Sequence, residues 1–151
     1  MIPVLVDCDP GQDDAIALLL ALASPEVAVL GVTTVAGNQT IEKVTANALR
    51  VLELAGRTDV RVAAGADQPL VGVLVVAADA HGETGLDGPD LPESRARPVE
   101  QHAVDLLAER LLASERRVTL VPLGPLTNIA LLLAERPEAA ERIERIVLMG
   151  G

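Results

Sequence analysis

Four acidic side chains fall within eight residues near the start of the chain. Asp7 and Asp9 occupy alternate positions, and Asp13 and Asp14 follow after a Pro-Gly pair. Carboxylates this close together repel one another unless a cation or a proton lies among them. Carboxylate oxygens without His or Cys partners favour Ca²⁺ or Mg²⁺ over zinc. The cluster therefore predicts a site for a hard divalent cation.

The spacing of the four carboxylates divides them between two elements. Alternate residues of a strand point the same way, so Asp7 and Asp9 share a direction until the chain turns. Neighbouring helical residues point about 100° apart, so Asp13 and Asp14 cannot both face one ion squarely. We expect one of that pair to bind the cation and the other to accept hydrogen bonds from a substrate hydroxyl. A carboxylate beside a metal-bound water can serve as a general base, because the ion lowers the pKa of the water.

Three other patterns share parts of this acidic segment. An EF-hand loop places Glu at its twelfth position, but Leu18 stands there, which excludes that loop. Aspartyl-phosphate phosphatases also begin with Asp-x-Asp after a strand, but residues 10–11 are Pro-Gly where those enzymes have Gly-Thr, which makes them a distant second interpretation. Acidic residues can also simply favour a helix N-terminus. That explanation covers the second acidic pair and leaves the first unexplained.

An alternation of apolar strands and helices must position these carboxylates. The predicted strands are residues 2–6, 27–35, 60–64, 116–121 and 145–149, and the predicted helices are residues 13–23, 41–54, 99–113, 128–135 and 139–142. Such alternation is typical of right-handed βαβ units. We therefore expect an α/β fold, an open and mostly parallel Rossmann-like sheet with helices on both faces, formed by a single domain over residues 1–151.

Polar residues and glycines follow the ends of the predicted strands. Asp7 and Asp9 follow the first strand, Asn38 the second, residues 123–124 the fourth and residues 150–151 the fifth. Open parallel sheets bind ligands beyond the carboxyl ends of their strands. The candidate site is therefore expected at that edge of the sheet.

One stretch of the chain, residues 66–98, has a different character, because it is rich in Gly and Pro. Loops of this length in compact domains are uncommon and are usually functional or mobile. Its apolar part, residues 70–78, is expected to form a helical turn or to pack as a lid.

Composition excludes several classes of function. The net charge of −10 argues against nucleic acid and anionic membrane surfaces as partners, because both require a basic face. The single cysteine, Cys8, cannot form an internal disulfide, which fits a reducing compartment, and it is interpreted as a packing residue. The N-terminus lacks the pattern of a signal peptide, and no apolar run reaches the roughly 18 residues of a membrane span. We therefore expect a cytoplasmic protein.

Five segments of the chain together resemble a known family. They are DCDPGQDDA at residues 7–15, VTTVAGN at 32–38, HGETG at 81–85, LVPLGPLTNIA at 120–130 and VLMGG at 147–151. In this order they resemble the sequence blocks of the inosine/uridine-preferring nucleoside hydrolases. The resemblance implies hydrolysis of the N-glycosidic bond of a small-molecule ribonucleoside to free base and ribose, with one bound Ca²⁺. It also implies a homo-oligomer, a dimer or a tetramer.

The resemblance assigns metal-related roles to four residues. Asp9 is similar to the general base that activates the calcium-bound water and also contacts the metal. Asp14 is similar to the bidentate calcium ligand, and the backbone carbonyl of Leu123 matches a main-chain ligand, a role that any side chain allows. Asp7 is similar to a supporting carboxylate behind the ligands.

The resemblance assigns substrate-related roles to three further residues. Asp13 is similar to the acceptor for a ribose hydroxyl, and Asn38 to a further ribose contact. His81 lies in the segment that closes over the base in the family. Taken singly, Asn38 is also explained as a turn residue and His81 as an exposed loop residue. His102, early in a predicted helix, is interpreted as a surface or packing residue.

The chain departs from the family in length. Its last residue is Gly151, at about half the family's usual length, so we expect it to be truncated to the N-terminal half. The second half supplies another calcium-binding Asp, further ribose contacts and the residues that meet the leaving base. Two hypotheses follow: a part of a working nucleoside hydrolase, or a non-catalytic α/β module that binds calcium or ribose weakly.

Overall fold

A computed structural model describes residues 1–88, 90–91 and 93–149 of the chain. Within those ranges the strands are β1 (Ile2–Cys8), β2 (Val27–Thr34), β3 (Val62–Ala64), β4 (Val118–Pro122) and β5 (Ile143–Ile146). The helices there are α1 (Gln12–Ala23), α2 (Ile41–Leu54), α3 (Ala78–His81), α4 (Ala103–Ala113), α5 (Thr127–Glu135) and α6 (Pro137–Ala140). None of these helices combines the length and apolarity needed to cross a bilayer.

The strands form one parallel sheet with β1 at its centre, in the order β3-β2-β1-β4-β5. The register places Asp7 opposite Thr33 of β2 and Pro122 of β4. The carboxyl ends of the three central strands therefore lie together at one edge, at the point where the strand order reverses. The predicted α/β fold with an open parallel sheet is confirmed.

Helices cover both faces of the sheet. The apolar side chains of β1 point alternately to the two faces and are buried in two separate cores. Val4, Val6 and Cys8 pack with α1 and α2, whose contributions include Leu18 and Leu52. Leu5 points to the opposite face, where the apolar side chains of α4, α5 and α6 cover it. The central strand is thus buried from both sides, as a parallel strand of branched apolar residues requires.

The strand boundaries differ from the predicted ones where pairing overrides hydropathy. β1 continues through Cys8 because residues 7–8 pair with β2. β5 begins at Ile143, which pairs with Val118, and it ends at Ile146 instead of Met149. The predicted strand end at residues 150–151 lies outside the described residues.

The predicted helix over residues 99–113 was wrong in its first turn. Val99 instead forms a parallel bridge with Ala63, and its N–H donates to the carbonyl of Val62 at 2.8 Å. The helix begins only at Ala103, after His102, whose Nδ1 accepts the N–H of Val104 at 3.3 Å. A β-branched residue beside an edge strand is better placed in the sheet than in a helix.

The long segment after β3 contains little regular structure. The only helix of its described part is α3, so residues 70–77 do not form the helical turn considered for them. Leu70, Val71 and Val73 are exposed there. These apolar side chains contribute nothing to the two cores.

We expect Leu111→Ala to lower the free energy of unfolding by about 2–5 kcal/mol, because Leu111 is fully buried between α4 and the sheet. The neighbouring Leu112 is 49% exposed and provides the matched control. Leu112→Ala should change the stability by no more than about 0.5 kcal/mol. Urea denaturation followed by circular dichroism measures both. Equal losses in the two variants would contradict the assignment of this helix face to the core.

Candidate active site

A pocket of about 450 Å³ opens at the carboxyl ends of β1 and β4. It is lined by Asp9, Asp13, Asp14, Gly37, Asn38, Val75, Ala77, His81, Leu123, Gly124, Pro125 and Met149. Six of the seven predicted site residues are therefore brought to one place, although they come from four separate segments of the chain. The seventh, Asp7, lies behind the pocket and does not line it. The chemical role of each of these residues stays a prediction.

Asn38 holds Asp9 in place through two hydrogen bonds. The backbone N–H of Asn38 donates to Oδ2 of Asp9 at 2.8 Å. The side-chain Nδ2 of Asn38 donates to the main-chain oxygen of Asp9 at 2.9 Å. The asparagine predicted to contact ribose thus also fixes the carboxylate predicted to be the general base.

Asp13 and Asp14 are neighbours in the first turn of α1 and point in different directions, as their helical spacing predicts. Asp14 is buried, and its Oδ2 accepts the backbone N–H of Asp9 at 3.0 Å. Asp13 is exposed and lines the mouth of the pocket. Buried Asp14 therefore lies beside Asp9, whereas exposed Asp13 is accessible to a molecule in the pocket.

Burial raises the pKa of both Asp9 and Asp14 above the ordinary value of a carboxyl group. The charge of Asp9 raises the pKa of Asp14 further, and the charge of Asp13 adds to both effects. Two buried carboxylates in contact therefore cost free energy in their ionised form, unless a cation compensates them.

Two glycines make room for the Asp9 carboxylate. A Cβ at Gly37 would lie 2.2 Å from Oδ2 of Asp9, and a Cβ at Gly124 would lie 2.3 Å from Oδ1. Neither distance is sterically possible, so both positions require glycine as long as Asp9 stays where it is. Sequence reasoning assigned no role to these glycines, although both fall in segments that carried the family resemblance.

Asp7 is a buried support for the site. Its Oδ1 accepts the hydroxyl of Thr33 at 2.6 Å and Nδ2 of Asn128 at 2.8 Å. Its main-chain oxygen accepts the N–H of Leu123 at 2.7 Å, which couples β1 to the segment after β4. Within the described part of the chain its Oδ2 has no partner, and burial raises the pKa of Asp7 to about 6.

Asn128 is a residue that sequence reasoning missed. Besides Asp7, its Nδ2 reaches the main-chain oxygen of Thr34 at 2.9 Å, and its Oδ1 accepts the N–H of Ala66 at 2.9 Å. It thereby joins α5 to the ends of β1 and β2 and to the segment after β3. The sequence did offer a signal, because Asn128 is an amide among the apolar residues of α5. A buried amide requires hydrogen-bond partners, so such a residue indicates a structural role.

Neither Cys8 nor His102 lines the pocket. Cys8 is fully buried, its thiol points to the main-chain oxygen of Thr33 at 3.6 Å, and burial raises the pKa of that thiol. A raised pKa disfavours the thiolate and hence nucleophilic chemistry. His102 caps α4 at the surface.

The oxygen donors near Asp9 fit a hard cation in kind. The two carboxylates of Asp9 and Asp14 are adjacent, and Leu123 lines the same pocket. In the described ranges, however, no group of three or more His, Cys, Asp or Glu side chains is arranged to hold a metal ion. Since Ca²⁺ takes six to eight oxygen ligands, these residues supply only part of a coordination sphere.

Comparison with known proteins identifies the family. The family model described as inosine-uridine preferring nucleoside hydrolase matches residues 4–151. The chain belongs to this family.

Two curated members of the nucleoside hydrolase family are similar over almost the whole chain. The pyrimidine-specific ribonucleoside hydrolase RihA of Photobacterium profundum is 60% identical over 149 residues, which are 99% of this chain and 48% of that protein. The protein of the same name from a Shewanella species is 59% identical, over 99% of this chain and 47% of that protein. The chain spans about half the length of the curated nucleoside hydrolases it matches.

Solved nucleoside hydrolases share the fold. The plant nucleoside hydrolase PpNRh1 superposes with a TM-score of 0.92 at 38% identity, over 99% of this chain and 48% of that one. The purine-preferring ribonucleoside hydrolase from Gardnerella vaginalis superposes with a TM-score of 0.92 at 34% identity, over the same shares of the two chains.

We expect Thr33→Val to lower the free energy of unfolding by about 1.5–3 kcal/mol, because it removes a hydrogen bond to the buried carboxyl group of Asp7. Thr34→Val is the matched control, because the Thr34 hydroxyl is equally buried but pairs with the neutral hydroxyl of Thr45 at 2.7 Å. That control should cost only about 0.5–1.5 kcal/mol. Chemical denaturation compares the two variants. A larger loss of stability in Thr34→Val would contradict the claim that the hydrogen bond to Asp7 is the stronger one.

Proposed function

We propose that the protein is a ribonucleoside hydrolase, which cleaves the N-glycosidic bond to give free base and ribose. The observation that carries the proposal is the acidic pocket at the carboxyl ends of β1 and β4, in a chain of the nucleoside hydrolase family. The pocket joins a buried carboxylate pair, an exposed carboxylate, an amide and an imidazole. These groups suit the binding of a polyhydroxylated sugar and the activation of water.

Asp9 is proposed as the general base. Its carboxylate is oriented by Asn38 and flanked by Gly37 and Gly124, so it is held in one position. A base with a fixed orientation can take a proton from a water molecule beside the sugar without first reorganising. Ca²⁺, held in part by Asp9, Asp14 and the Leu123 carbonyl, would lower the pKa of such a water and orient the sugar hydroxyls.

The sugar is proposed to bind to Asp13 and Asn38. Cleavage of the glycosidic bond develops positive charge on the ribose ring, so neighbouring carboxylates stabilise the transition state more than the ground state. Exposed Asp13 can accept a ribose hydroxyl, while buried Asp9 and Asp14 supply negative charge close by. His81, at the edge of the same pocket, is proposed to meet the base.

Pyrimidine ribonucleosides are the proposed substrates. The support is the similarity, at 59% and 60% identity, to two proteins named pyrimidine-specific ribonucleoside hydrolases. The less similar protein from Gardnerella vaginalis, at 34% identity, is named purine-preferring. A comparison of uridine and cytidine with inosine tests this preference directly.

The second candidate is a module that binds calcium or ribose weakly without catalysis. The observation that favours it is the partial set of metal donors among the described residues. We further infer that residues 1–151 act as one α/β domain equivalent to an N-terminal half, in a cytoplasmic homo-oligomer, dimer or tetramer. Size-exclusion chromatography with light scattering tests the oligomeric state.

We expect Asp9→Asn to lower the rate of ribose release by about 10²–10⁴-fold, because the substitution removes the proposed general base and keeps its size. The measurement is a reducing-sugar assay with uridine, cytidine and inosine in the presence of Ca²⁺. It is run on the 151-residue chain and on any longer product of the same reading frame.

Asp59→Asn is the matched control for this assay. Asp59 is exposed at the amino end of β3, on the opposite edge of the sheet, so its substitution should leave the rate unchanged. If the unaltered protein releases ribose and the Asp9→Asn variant releases it at the same rate, Asp9 is not the general base. Release from no common ribonucleoside by any form of the protein would exclude the hydrolase and favour the binding module.

We expect the 151-residue chain to bind Ca²⁺ weakly, with a Kd on the order of 10⁻⁴–10⁻³ M, because its donors supply only part of a coordination sphere. Asp14→Asn should weaken the binding by a further factor of at least about ten, while Asp59→Asn should not change it. Isothermal titration calorimetry measures all three. Tight, stoichiometric uptake by the unaltered chain would show that the donors form a complete site.

A further inference from the structure

A glutamine that the proposed mechanism does not use connects two segments at the rim of the pocket. Gln12 is the first residue of α1, and His81 is the last residue of α3. Oε1 of Gln12 lies 2.8 Å from Nδ1 of His81. Nε2 of the same amide donates to the main-chain oxygen of Asp87 at 3.0 Å. Gln12 thus bridges an imidazole and a backbone carbonyl.

The carbonyl of Asp87 decides how this bridge is oriented. A carbonyl oxygen only accepts hydrogen bonds, so the NH₂ group of Gln12 must face Asp87 and its oxygen must face His81. The amide oxygen in turn only accepts, so Nδ1 of His81 must carry a hydrogen. The neutral imidazole is therefore held as its Nδ1–H tautomer. Nε2 is the ring nitrogen left for a ligand.

The ring of His81 is also confined sterically. A Cβ at Gly11 would lie 2.4 Å from Nδ1 and 2.7 Å from Cε1 of His81. The imidazole therefore packs directly against the backbone of the turn that joins β1 to α1. Any side chain at position 11 would displace it. The same ring lines the pocket that contains Asp9 and Asp13.

The acceptor that orients Gln12 is itself fixed. The side chain of Asn47, on α2, donates to the main-chain oxygens of Pro10 at 3.1 Å and Thr84 at 3.0 Å. The carboxylate of Asp87 accepts the backbone N–H groups of Glu83 and Thr84, at 3.1 Å each. The segment that presents the Asp87 carbonyl is therefore attached to the same turn that Gln12 follows.

We propose that Gln12 is a positioning residue, which holds His81 as its Nδ1–H tautomer so that Nε2 faces the nucleobase as a hydrogen-bond acceptor. The base contact rests on the proposed function, whereas the tautomer does not. The atom of the base that meets Nε2 must then be a donor, a ring N–H or an exocyclic amino group. Among the seven predicted site residues, His81 alone presents an imidazole, so fixing its tautomer fixes the polarity of that contact.

Nuclear magnetic resonance of the 151-residue chain tests the tautomer without any assay of activity. His81 and His102 are its two histidines, so long-range ¹H–¹⁵N spectra of the imidazoles are simple, and His102→Gln assigns them. The spectra are recorded at about pH 8.5, where free histidine is mostly neutral. We expect His81 as Nδ1–H and His102 as Nε2–H, because Nδ1 of His102 accepts the N–H of Val104.

Two substitutions of Gln12 provide the contrast. Gln12→Leu removes the acceptor, so His81 should shift to a mixture of tautomers while His102 stays unchanged and reports an intact fold. Gln12→Glu keeps an acceptor oxygen and should retain the Nδ1–H form. An Nε2–H tautomer of His81 in the unaltered chain, or an unchanged tautomer in Gln12→Leu, would overturn the proposal.

Kinetics tests the contact with the base in a form of the protein that releases ribose. Gln12→Leu should raise KM about tenfold with kcat within about twofold, because it removes binding shared by ground state and transition state. A KM that does not change would overturn the base contact. Absence of ribose release from the unaltered protein would overturn the proposed function and the base contact with it, whereas the tautomer is decided by the spectra alone.

Discussion

Two adjacent buried carboxylates at the end of the central strand are the constraint on which the rest of the structure depends. Asp9 and Asp14 lie side by side where burial already raises the pKa of each. Their ionised forms are stable together only with compensation from a cation or from hydrogen-bond donors. The donors described here are backbone N–H groups, from Asn38 to Asp9 and from Asp9 to Asp14. This compensation is partial, and a cation bound between the two carboxylates would complete it.

The parallel sheet meets this constraint through its register. Because β1 pairs with β2 on one side and β4 on the other, the turn after each strand reaches the same edge. Gly37 and Gly124 come from those two turns and leave space for both oxygens of Asp9. Behind them, Asp7 and Asn128 join the strand ends through buried hydrogen bonds. The site is therefore set by the backbone geometry of several strands, and the sheet cannot shift its register without displacing Asp9.

The pocket combines a rigid floor with a rim built from other segments. The floor consists of buried groups whose neighbours are backbone atoms of the sheet edge. The rim is formed by exposed Asp13 and by half-buried His81, which depends on Gln12 and on the turn at Gly11 for its orientation. In the proposed function the floor would hold metal and water, and the rim would meet sugar and base. Within the described residues, no group of three or more His, Cys, Asp or Glu side chains is arranged to hold a metal ion.

The sequence by itself determined the class of fold, the edge of the sheet that carries the site and the acidic residues of the pocket. These follow from local signals: apolar runs of strand and helix length, and polar residues directly after strands. Helical spacing also separated Asp13 from Asp14 without any tertiary information. Boundaries that depend on strand pairing could not be predicted from local signals. An example is the start of α4, which is delayed because Val99 pairs with β3.

Only the tertiary structure decided which carboxylate is buried, what Asp7 touches and how His81 is oriented. Asn128 reaches Asp7 across 121 residues of sequence, because the order β3-β2-β1-β4-β5 places the turn before α5 beside the end of β1. Gln12 and His81 are 69 residues apart and meet only because α3 returns to the turn after β1. The physical reason is common to all of them. A hydrogen bond between distant segments depends on strand order and register, and neither is encoded in the spacing of neighbouring residues.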